Sequence, residues 1–205
     1  MSISQIKSLL ITGLLCSSLT ANAVEKSDLP QRIDTGSNRL QLCAAVTLRA
    51  LGLIKFGYAG LYLDQCGHAD QLLQGNTAQQ YSVLLTRDAS GERLQDMAID
   101  SLQDNFDDDS LATRQEVFNC MTNAYSNTAE GSRIDVRFDP EHGLSMLVDD
   151  QLVANCGGAA RSAGYFSIWF GEQPFNASMR DKLIRQAQEM AREQRDKNEL
   201  AGFTG

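Results

Sequence analysis

The sequence predicts one α+β domain with an antiparallel sheet whose helices lie on one face. Three observations lead to this class. Several short stretches alternate apolar and polar residues, which is the period-two pattern of strands buried on one side. Longer stretches repeat apolar residues every three or four positions, as amphipathic helices do. Strands and helices also fall into separate groups along the chain, which favours an antiparallel sheet over a parallel one.

Composition and charge narrow the class of protein. The 205 residues are 42% hydrophobic with only 3 prolines, which suits a packed globular domain with a sizeable core. The formal net charge is −8 at pH 7, and no basic stripe interrupts the acidic sequence. These features argue against nucleic acid and against an anionic membrane surface as partners.

The first 23 residues have the pattern of a cleaved secretory signal. They combine Lys7, an apolar run over residues 9–15 and the small-x-small pattern Ala21-Asn22-Ala23. The apolar run is shorter than the roughly 20 residues that a membrane span needs. We therefore expect a periplasmic protein without a membrane span. Its predicted parts are a signal peptide at 1–23, a polar leader at 24–38, a folded domain at 39–195 and a flexible tail at 196–205.

Residues 40–63 predict the hairpin around which the domain is organised. One face of its first strand is apolar and consists of Leu40, Leu42, Ala44, Val46 and Leu48. A register with Cys43 opposite Cys66 would match Val46 to Leu63 and Leu48 to Leu61.

The other face of this hairpin carries the predicted anion site. In the same register Arg49 and Tyr62 are diagonal neighbours, so a cation and a phenol lie side by side. Thr47 and Tyr58 belong to this face as well. We expect these four residues to contact a small anionic ligand.

Four cysteines remain once Cys16 is removed with the signal. An even number in an exported protein indicates disulfides, and four cysteines allow three pairings. The hairpin register favours Cys43–Cys66 and leaves Cys120–Cys156 as the second bridge. No two of these cysteines have the CxxC spacing typical of zinc sites, so we expect neither a metal nor a cofactor.

The rest of the chain predicts one more strand, two helices, a meander and two further helices. A strand over residues 81–85 precedes a helix that Ser90 caps. The acidic run 104–109 lacks the ligand pattern of a calcium loop and is interpreted as solvated, with Asp109 and Ser110 capping the next helix. A three-stranded meander is predicted after residue 131. Residues 163–170 are predicted to form a helix without a polar face, and an amphipathic helix is predicted to begin near Asn176.

Two segments resemble the chalcone isomerase-like superfamily in its bacterial branch. Residues 49–63, RALGLIKFGYAGLYL, are similar to its arginine-to-LYL segment, and residues 166–174, FSIWFGEQP, are similar to its IWLG-x-x-P signature. The resemblance covers roughly residues 40–184. It implies an open-faced β-sandwich, in which a large antiparallel sheet is layered with helices and a ligand cleft lies between them.

The resemblance also implies roles for individual residues. Arg49 matches the arginine that holds the anionic substrate in the plant enzymes and a carboxylate in the plastid fatty-acid-binding relatives, and Tyr62 matches the tyrosine that assists it. The enzymes place a threonine after a Lys-Phe pair, whereas Gly57 follows Lys55-Phe56 here. Losing a donor near the reacting carbonyl disfavours catalysis, so we expect no catalytic residue.

The sequence therefore predicts a non-catalytic periplasmic protein that binds a fatty acid or a similar lipophilic carboxylate. Arg49 would hold the carboxylate, Tyr62 would donate a hydrogen bond, and aromatic residues would line or back the cavity, namely Phe106, Phe118, Phe166 and Trp169. A purely structural interpretation pairs Arg49 with an acid such as Asp64 and places the aromatic rings in the core. Two other functions stay open, an isomerase of the intramolecular lyase type and a module that binds another periplasmic protein.

Overall fold

The computed structural model describes residues 23–50, 54–158 and 162–202, which form a seven-stranded antiparallel sheet with helices on one face. The strands follow one another in the sheet in chain order. They are β1 (Arg32–Asp34), β2 (Arg39–Ala50), β3 (Ile54–Leu63), β4 (Gln79–Leu85), β5 (Arg133–Asp139), β6 (Gly143–Val148) and β7 (Gln151–Gly157). The predicted α+β class with a layered antiparallel sheet is confirmed.

Five α-helices accompany the sheet in the described part of the chain. They are α1 (Gly91–Asn105), α2 (Asp108–Ala112), α3 (Gln115–Thr122), α4 (Ser167–Phe170) and α5 (Ala177–Gly202). Short 3-10 turns occupy Lys26–Asp28, Cys66–Asp70 and Ala163–Phe166. Within the described residues, no helix combines the length and the apolar character that crossing a membrane requires.

The ends of the chain differ from the boundaries that the sequence predicts. Residues 1–22 of the predicted signal lie outside the described residues. Within the predicted leader, β1 pairs with β2 and Leu29 is buried, so this stretch adds an edge strand to the sheet. At the other end, α5 continues to Gly202, past the predicted start of a tail at residue 196.

In the helical segment between β4 and β5, side-chain caps mark where the first two helices begin. Ser90 accepts a hydrogen bond from the Arg93 amide, which confirms it as the cap of α1. The sequence predicts a single helix after the acidic run, but the structure has two. Asp107 caps α2, and α3 begins after Arg114. Residues 163–170 begin as a 3-10 turn before α4, and their side chains are buried as the sequence predicts.

Both predicted disulfides are confirmed. Cys43–Cys66 joins β2 to the 3-10 turn that follows β3, with its Cα atoms 5.3 Å apart. Cys120–Cys156 joins α3 to β7, with its Cα atoms 5.7 Å apart. Each bridge connects the sheet to the segment packed beside it.

The predicted register between β2 and β3 is wrong. Val46 lies opposite Ala59 and Leu48 opposite Gly57, rather than Leu63 and Leu61. The observed pairing is displaced from the predicted one by four or five residues along β3, and two bulges, at Cys43 in β2 and at Phe56 in β3, each change the register by one more residue. A bulge changes which residues share a face, and alternation alone does not reveal it.

The bulge at Cys43 divides the apolar residues of β2 between two faces of the sheet. Ala44, Val46 and Leu48 face the helices and belong to the main core. Leu40 and Leu42 pack on the opposite face with Tyr62 and Ala78. The apolar stripe predicted along β2 is therefore not continuous.

Candidate functional site

An apolar cavity of about 500 Å³ lies between the helix-covered face of the sheet and α1. The alternating residues of three strands form its floor: Phe56, Tyr81, Val83, Leu85, Ile134 and Val136. Its walls come from Leu94 and Met97 of α1, from Tyr125 and from Trp169 of α4. The cavity thus occupies the position of the ligand cleft that the sequence predicts between sheet and helices.

The closed end of the cavity is built from packed aromatic rings. Tyr81 stacks on Trp169 with ring centroids 4.3 Å apart, and Tyr165 meets the same indole edge-on at 6.1 Å. Aromatic pairs of this kind gain about 0.5–1.5 kcal/mol beyond the area they bury. This end of the cavity is therefore a fixed wall.

The open end of the cavity is cationic. Arg49, Arg87 and Arg93 all line the cavity and are exposed to solvent, and we call these three residues the arginine rim. Two exposed apolar residues, Ile54 and Phe175, line the cavity as well. A lipophilic acid has the matching arrangement, with an apolar body and an anionic end.

One acid, Asp88, is among the described residues that line the cavity. Its Oδ1 accepts a hydrogen bond from the Glu130 amide at 2.9 Å. The neighbouring Ala89 forms a pair of backbone hydrogen bonds with Thr128, at 2.8 and 3.0 Å. These contacts hold the carboxylate of Asp88 on the loop before β5.

The phenols of the cavity keep their protons at neutral pH. Burial raises the pKa of Tyr81 well above its usual range, and its hydroxyl donates to Met179 Sδ at 3.2 Å. Burial likewise raises the pKa of Tyr125 to about 12, although a hydrogen bond with Tyr165 acts in the opposite direction. The described lining residues include no histidine, cysteine or lysine, and Asp88 is the acid among them.

Two of the predicted ligand residues are separated by the true register. Arg49 lies opposite Lys55, whereas Tyr62 lies opposite Leu42 at the other end of β3. Seven residues of a strand span roughly 20 Å, so the predicted Arg49–Tyr62 pair does not exist. Arg49 reaches the cavity, and Tyr62 packs on the far face of the sheet.

The side chain of Tyr62 is completely buried on that far face. Its hydroxyl has no hydrogen-bond partner there, and burial raises its pKa, with a further contribution from the charge of Asp135. Thr47 and Tyr58 lie opposite each other, and Lys55 Nζ stands 4.3 Å above the Tyr58 ring. Neither Thr47 nor Tyr58 lines the cavity.

The structural interpretation of Arg49 as a partner of Asp64 is also wrong. Asp64 lies at the far end of β3, where it contacts His68 Nδ1 at 3.0 Å and accepts from the Gln65 amide at 2.7 Å. The position of Arg49 at the arginine rim agrees with its predicted role on a carboxylate, which stays a prediction.

The four aromatic residues predicted to line the cavity have different positions. Trp169 lines it. Phe106 and Phe118 are in contact behind it, with ring centroids 5.7 Å apart, and Phe166 packs against Trp169 at 5.6 Å. Phe118 also borders a separate cleft of about 310 Å³ between α1, α2 and α3. Three of the four rings therefore back the cavity rather than line it.

Sequence reasoning missed Arg87 and Arg93. They flank the Ser90 cap of α1, one before the helix and one in its first turn. Two cations on either side of a predicted helix start are the sequence signal that would have identified them. Among the described residues, no group of three or more histidine, cysteine or acidic side chains is arranged to hold a metal ion.

Comparisons with known proteins agree with this architecture. The profile of a family described as chalcone isomerase-like matches residues 21–184. The crystal structure of the fatty-acid-binding protein AtFAP1 from Arabidopsis thaliana is similar, with a TM-score of 0.59 and 17% sequence identity. The match covers 79% of this chain and 93% of that one. A comparison with curated protein sequences finds no significant match.

Proposed function

The chain belongs to the chalcone isomerase-like family, and from this membership and the cavity we propose that it binds a fatty acid or similar lipophilic acid without catalysing a reaction. The observation that carries the proposal is an apolar cavity whose open end is lined by arginines. The periplasm is the proposed compartment, since the N-terminal segment has a signal-like pattern and two disulfides brace the domain.

The cavity has the size and lining that such a ligand needs. Small-molecule sites usually enclose roughly 300–1,000 Å³ and are mostly apolar, with a few polar groups that orient the ligand. At about 500 Å³ the cavity falls within this range. The hydrocarbon chain would lie against Val83, Val136 and Trp169, with its acidic end toward the arginine rim.

Arg49 is the proposed anchor of the acidic group. A guanidinium donates two parallel hydrogen bonds to a carboxylate, and charge-assisted hydrogen bonds are shorter and stronger than neutral ones. Arg49 lies on β2 opposite Lys55 of β3, and this strand pairing positions its backbone. The similarity in fold to a fatty-acid-binding protein supports the same ligand class.

The backbone around Gly57 supports a function without catalysis. A Cβ atom at this position would stand 2.3 Å from the Leu84 carbonyl oxygen, so the strand pair has no room for a side chain. The threonine that the resemblance places here in the enzymes therefore does not fit. Without that donor, isomerase chemistry lacks a group that would stabilise the charge developing on the reacting carbonyl.

Binding of dodecanoate to delipidated protein tests the proposal. Isothermal titration calorimetry should give one site per chain, and Arg49→Ala should weaken binding by tenfold or more, because a charged hydrogen bond contributes about 1.5–3 kcal/mol. Arg39→Ala is the matched control, since Arg39 is an exposed arginine of the same strand that does not line the cavity.

A second variant tests the location of the ligand. Val83→Trp should fill the cavity and abolish binding, while Val153→Trp on the exposed surface of β7 should leave it unchanged. Circular dichroism would establish that each variant is folded. Wild-type protein that does not bind dodecanoate, or folded Val83→Trp protein that binds it normally, would exclude the proposal.

A further inference from the structure

We propose that the cleft between α1, α2 and α3 is a docking site for a partner protein that presents an apolar side chain flanked by lysines or arginines. The cleft has a volume of about 310 Å³ and is separate from the ligand cavity. Leu94 and Met97 of α1 line the cavity, whereas Ile99 and Gln103 of the same helix line the cleft. Docking at the cleft is therefore independent of the proposed function of the cavity.

The cleft offers an apolar floor to a partner. Leu102 of α1 and Phe118 of α3 both line it, and each is only 3% exposed. Phe118 packs on Tyr165 with ring centroids 5.7 Å apart, so the floor is continuous with the core. Leu111 and Ile99 also line the cleft, and Ile99 is 36% exposed. The anchor side chains of protein interfaces fill well-packed apolar pockets of this kind.

The helical segment that forms the cleft is strongly acidic. The range Gly91–Thr122 contains eight acidic and two basic residues, which gives it a formal charge of −6 out of −8 for the whole chain. Its acidic residues are all exposed to solvent: Glu92, Asp96, Asp100, Asp104, Asp107, Asp108, Asp109 and Glu116. Asp108 lines the cleft itself. A negative potential therefore surrounds the apolar floor.

The two basic residues of this segment are engaged elsewhere. Arg114 Nη1 donates to the Ser110 carbonyl at 2.8 Å, and the guanidinium stands 5.0 Å from the centroid of the Phe106 ring. Arg93 lines the ligand cavity. None of the ion pairs between described residues involves an acid of the segment. The exposed carboxylates are thus available to the cations of a partner.

The walls of the cleft are fixed to each other and to the sheet. The Cys120–Cys156 disulfide ties α3 to β7. Gln95 Nε2 of α1 donates to Asn123 Oδ1, just after α3, at 3.0 Å. Walls that are held in place before binding lower the entropy cost of association.

The apolar floor and the acidic surroundings together determine which partner fits. A basic segment is attracted by the carboxylates, whereas an acidic segment or an anionic membrane surface is repelled. A volume of about 310 Å³ lies at the lower end of the range for small-molecule sites, roughly 300–1,000 Å³, and suits the side chain of a partner. The amides of Gln103, Gln115 and Asn119 also line the cleft and can form hydrogen bonds with the backbone of a bound segment.

Three capped peptides labelled with fluorescein test the inference on the full chain. The first, Lys-Lys-Leu-Phe-Lys-Lys, is basic with an apolar centre. The second replaces the centre by Ala-Ala, and the third replaces the lysines by glutamates. Fluorescence anisotropy should show that the first peptide binds at least roughly tenfold more tightly than either of the others. Its affinity should fall when the salt concentration rises from about 0.1 M to about 1 M, because the carboxylates are exposed and screened.

Variants connect this binding to the cleft. Ile99→Ser removes an exposed apolar contact, and the double variant Asp100→Asn/Asp108→Asn removes two carboxylates. Each should weaken binding of the first peptide by roughly tenfold, which corresponds to about 1.4 kcal/mol. Leu73→Ser, at a residue that is 42% exposed, and Glu189→Gln on α5 are the matched controls outside the cleft and should leave the affinity unchanged.

Each outcome decides for or against the cleft. Loss of binding in the folded cleft variants and not in the controls would support it. Absence of binding to the wild type, or equal binding of the Leu-Phe and Ala-Ala peptides, would overturn it, since general attraction to an acidic surface needs no cleft. The cleft variants should keep their affinity for dodecanoate, because none of the replaced residues lines the cavity. Wild-type protein that binds the first peptide but not dodecanoate would overturn the proposed function and leave the docking site intact.

Discussion

At the scale of single residues, Asp139 connects the first turn of the sheet to its centre. Its Oδ2 accepts hydrogen bonds from Ser37 Oγ at 2.8 Å and Asn38 Nδ2 at 2.7 Å. Its Oδ1 accepts from the amides of Glu141 and His142 in the turn after β5. One carboxylate thus joins the β1–β2 turn to a turn about 100 residues later in the chain.

The pKa of Asp139 makes this connection sensitive to acid. Burial would raise the pKa, but the hydrogen bonds from Ser37, Glu141 and His142 outweigh it and lower the pKa to about 2 from the usual 3.8. A carboxyl whose pKa is lower in the folded state stabilises the fold above the unfolded-state pKa. That stability is lost as the pH falls through the folded-state pKa. The window for Asp139 therefore lies between about pH 4 and pH 2.

The variant Asp139→Asn should reduce the loss of stability in this window. Urea denaturation at pH 7 should show a cost of about 1–2 kcal/mol, because an amide cannot accept the same set of hydrogen bonds. Between pH 4 and pH 2 the free energy of unfolding of the variant should then fall less steeply than that of the wild type. Parallel acid profiles for the two proteins would contradict this account of Asp139.

At the scale of elements, the two disulfides join the sheet to segments that pack beside it. Cys43 is the bulged residue of β2, and its partner Cys66 begins the 3-10 turn on which α5 packs. Cys120–Cys156 joins the short helix α3 to β7, the last strand of the sheet. A helix of eight residues is not stable by itself in water, so its position depends on such contacts.

Removal of either bridge should have a similar cost. The bridges close loops with sequence separations of 23 and 36, and loop-closure entropy depends only weakly on length. We expect the double variants Cys43→Ala/Cys66→Ala and Cys120→Ala/Cys156→Ala each to lose about 3–4 kcal/mol of unfolding free energy.

Urea denaturation of both double variants and of wild-type protein, with and without reductant, would measure these costs. Reductant should destabilise the wild type and each variant that keeps one bridge. A double variant as stable as the oxidised wild type would show that the bridge does not brace its segment.

The elements also show what the sequence can predict about this fold. Alternation and helical periodicity identify the strands β4 to β7 and the buried stripe of α5, because each repeats over several residues. The bulges at Cys43 and Phe56 each concern one residue and leave no periodic signal. The predicted Arg49–Tyr62 site failed because β2 and β3 pair four or five residues away from the register that the cysteines suggest, while Arg49 does line the cavity.

At the scale of the whole molecule, the cavity would couple binding of the proposed ligand to the stability of the fold. An apolar cavity leaves its lining side chains without packing partners, so a ligand that fills it stabilises the folded state. A ligand at 100 times its dissociation constant adds about 2.7 kcal/mol to the free energy of unfolding. The ligand that we propose would therefore contribute to the stability of the folded chain.

Removal of bound ligand should accordingly lower the thermal stability of the protein. Delipidated protein should melt several degrees below protein saturated with dodecanoate, since about 1 kcal/mol shifts the melting temperature of a domain of 150–250 residues by roughly 2–4 °C. Differential scanning calorimetry of wild-type and Arg49→Ala proteins would measure the shift, which should be smaller for the variant at equal ligand concentration. Identical melting temperatures with and without ligand in the wild type would contradict the coupling.

The packing of α5 on β2 has a consequence for how the chain folds during synthesis. The Ala45 amide donates to Gln186 Oε1 at 3.1 Å, and Gln194 Nε2 donates to Gln41 Oε1 at 2.9 Å. The Ala45–Gln186 contact joins residues 141 positions apart. At roughly 5–20 residues per second, this surface of β2 stays uncovered for on the order of ten seconds after its synthesis. The nascent chain therefore cannot cover this surface of β2 until α5 has been synthesised.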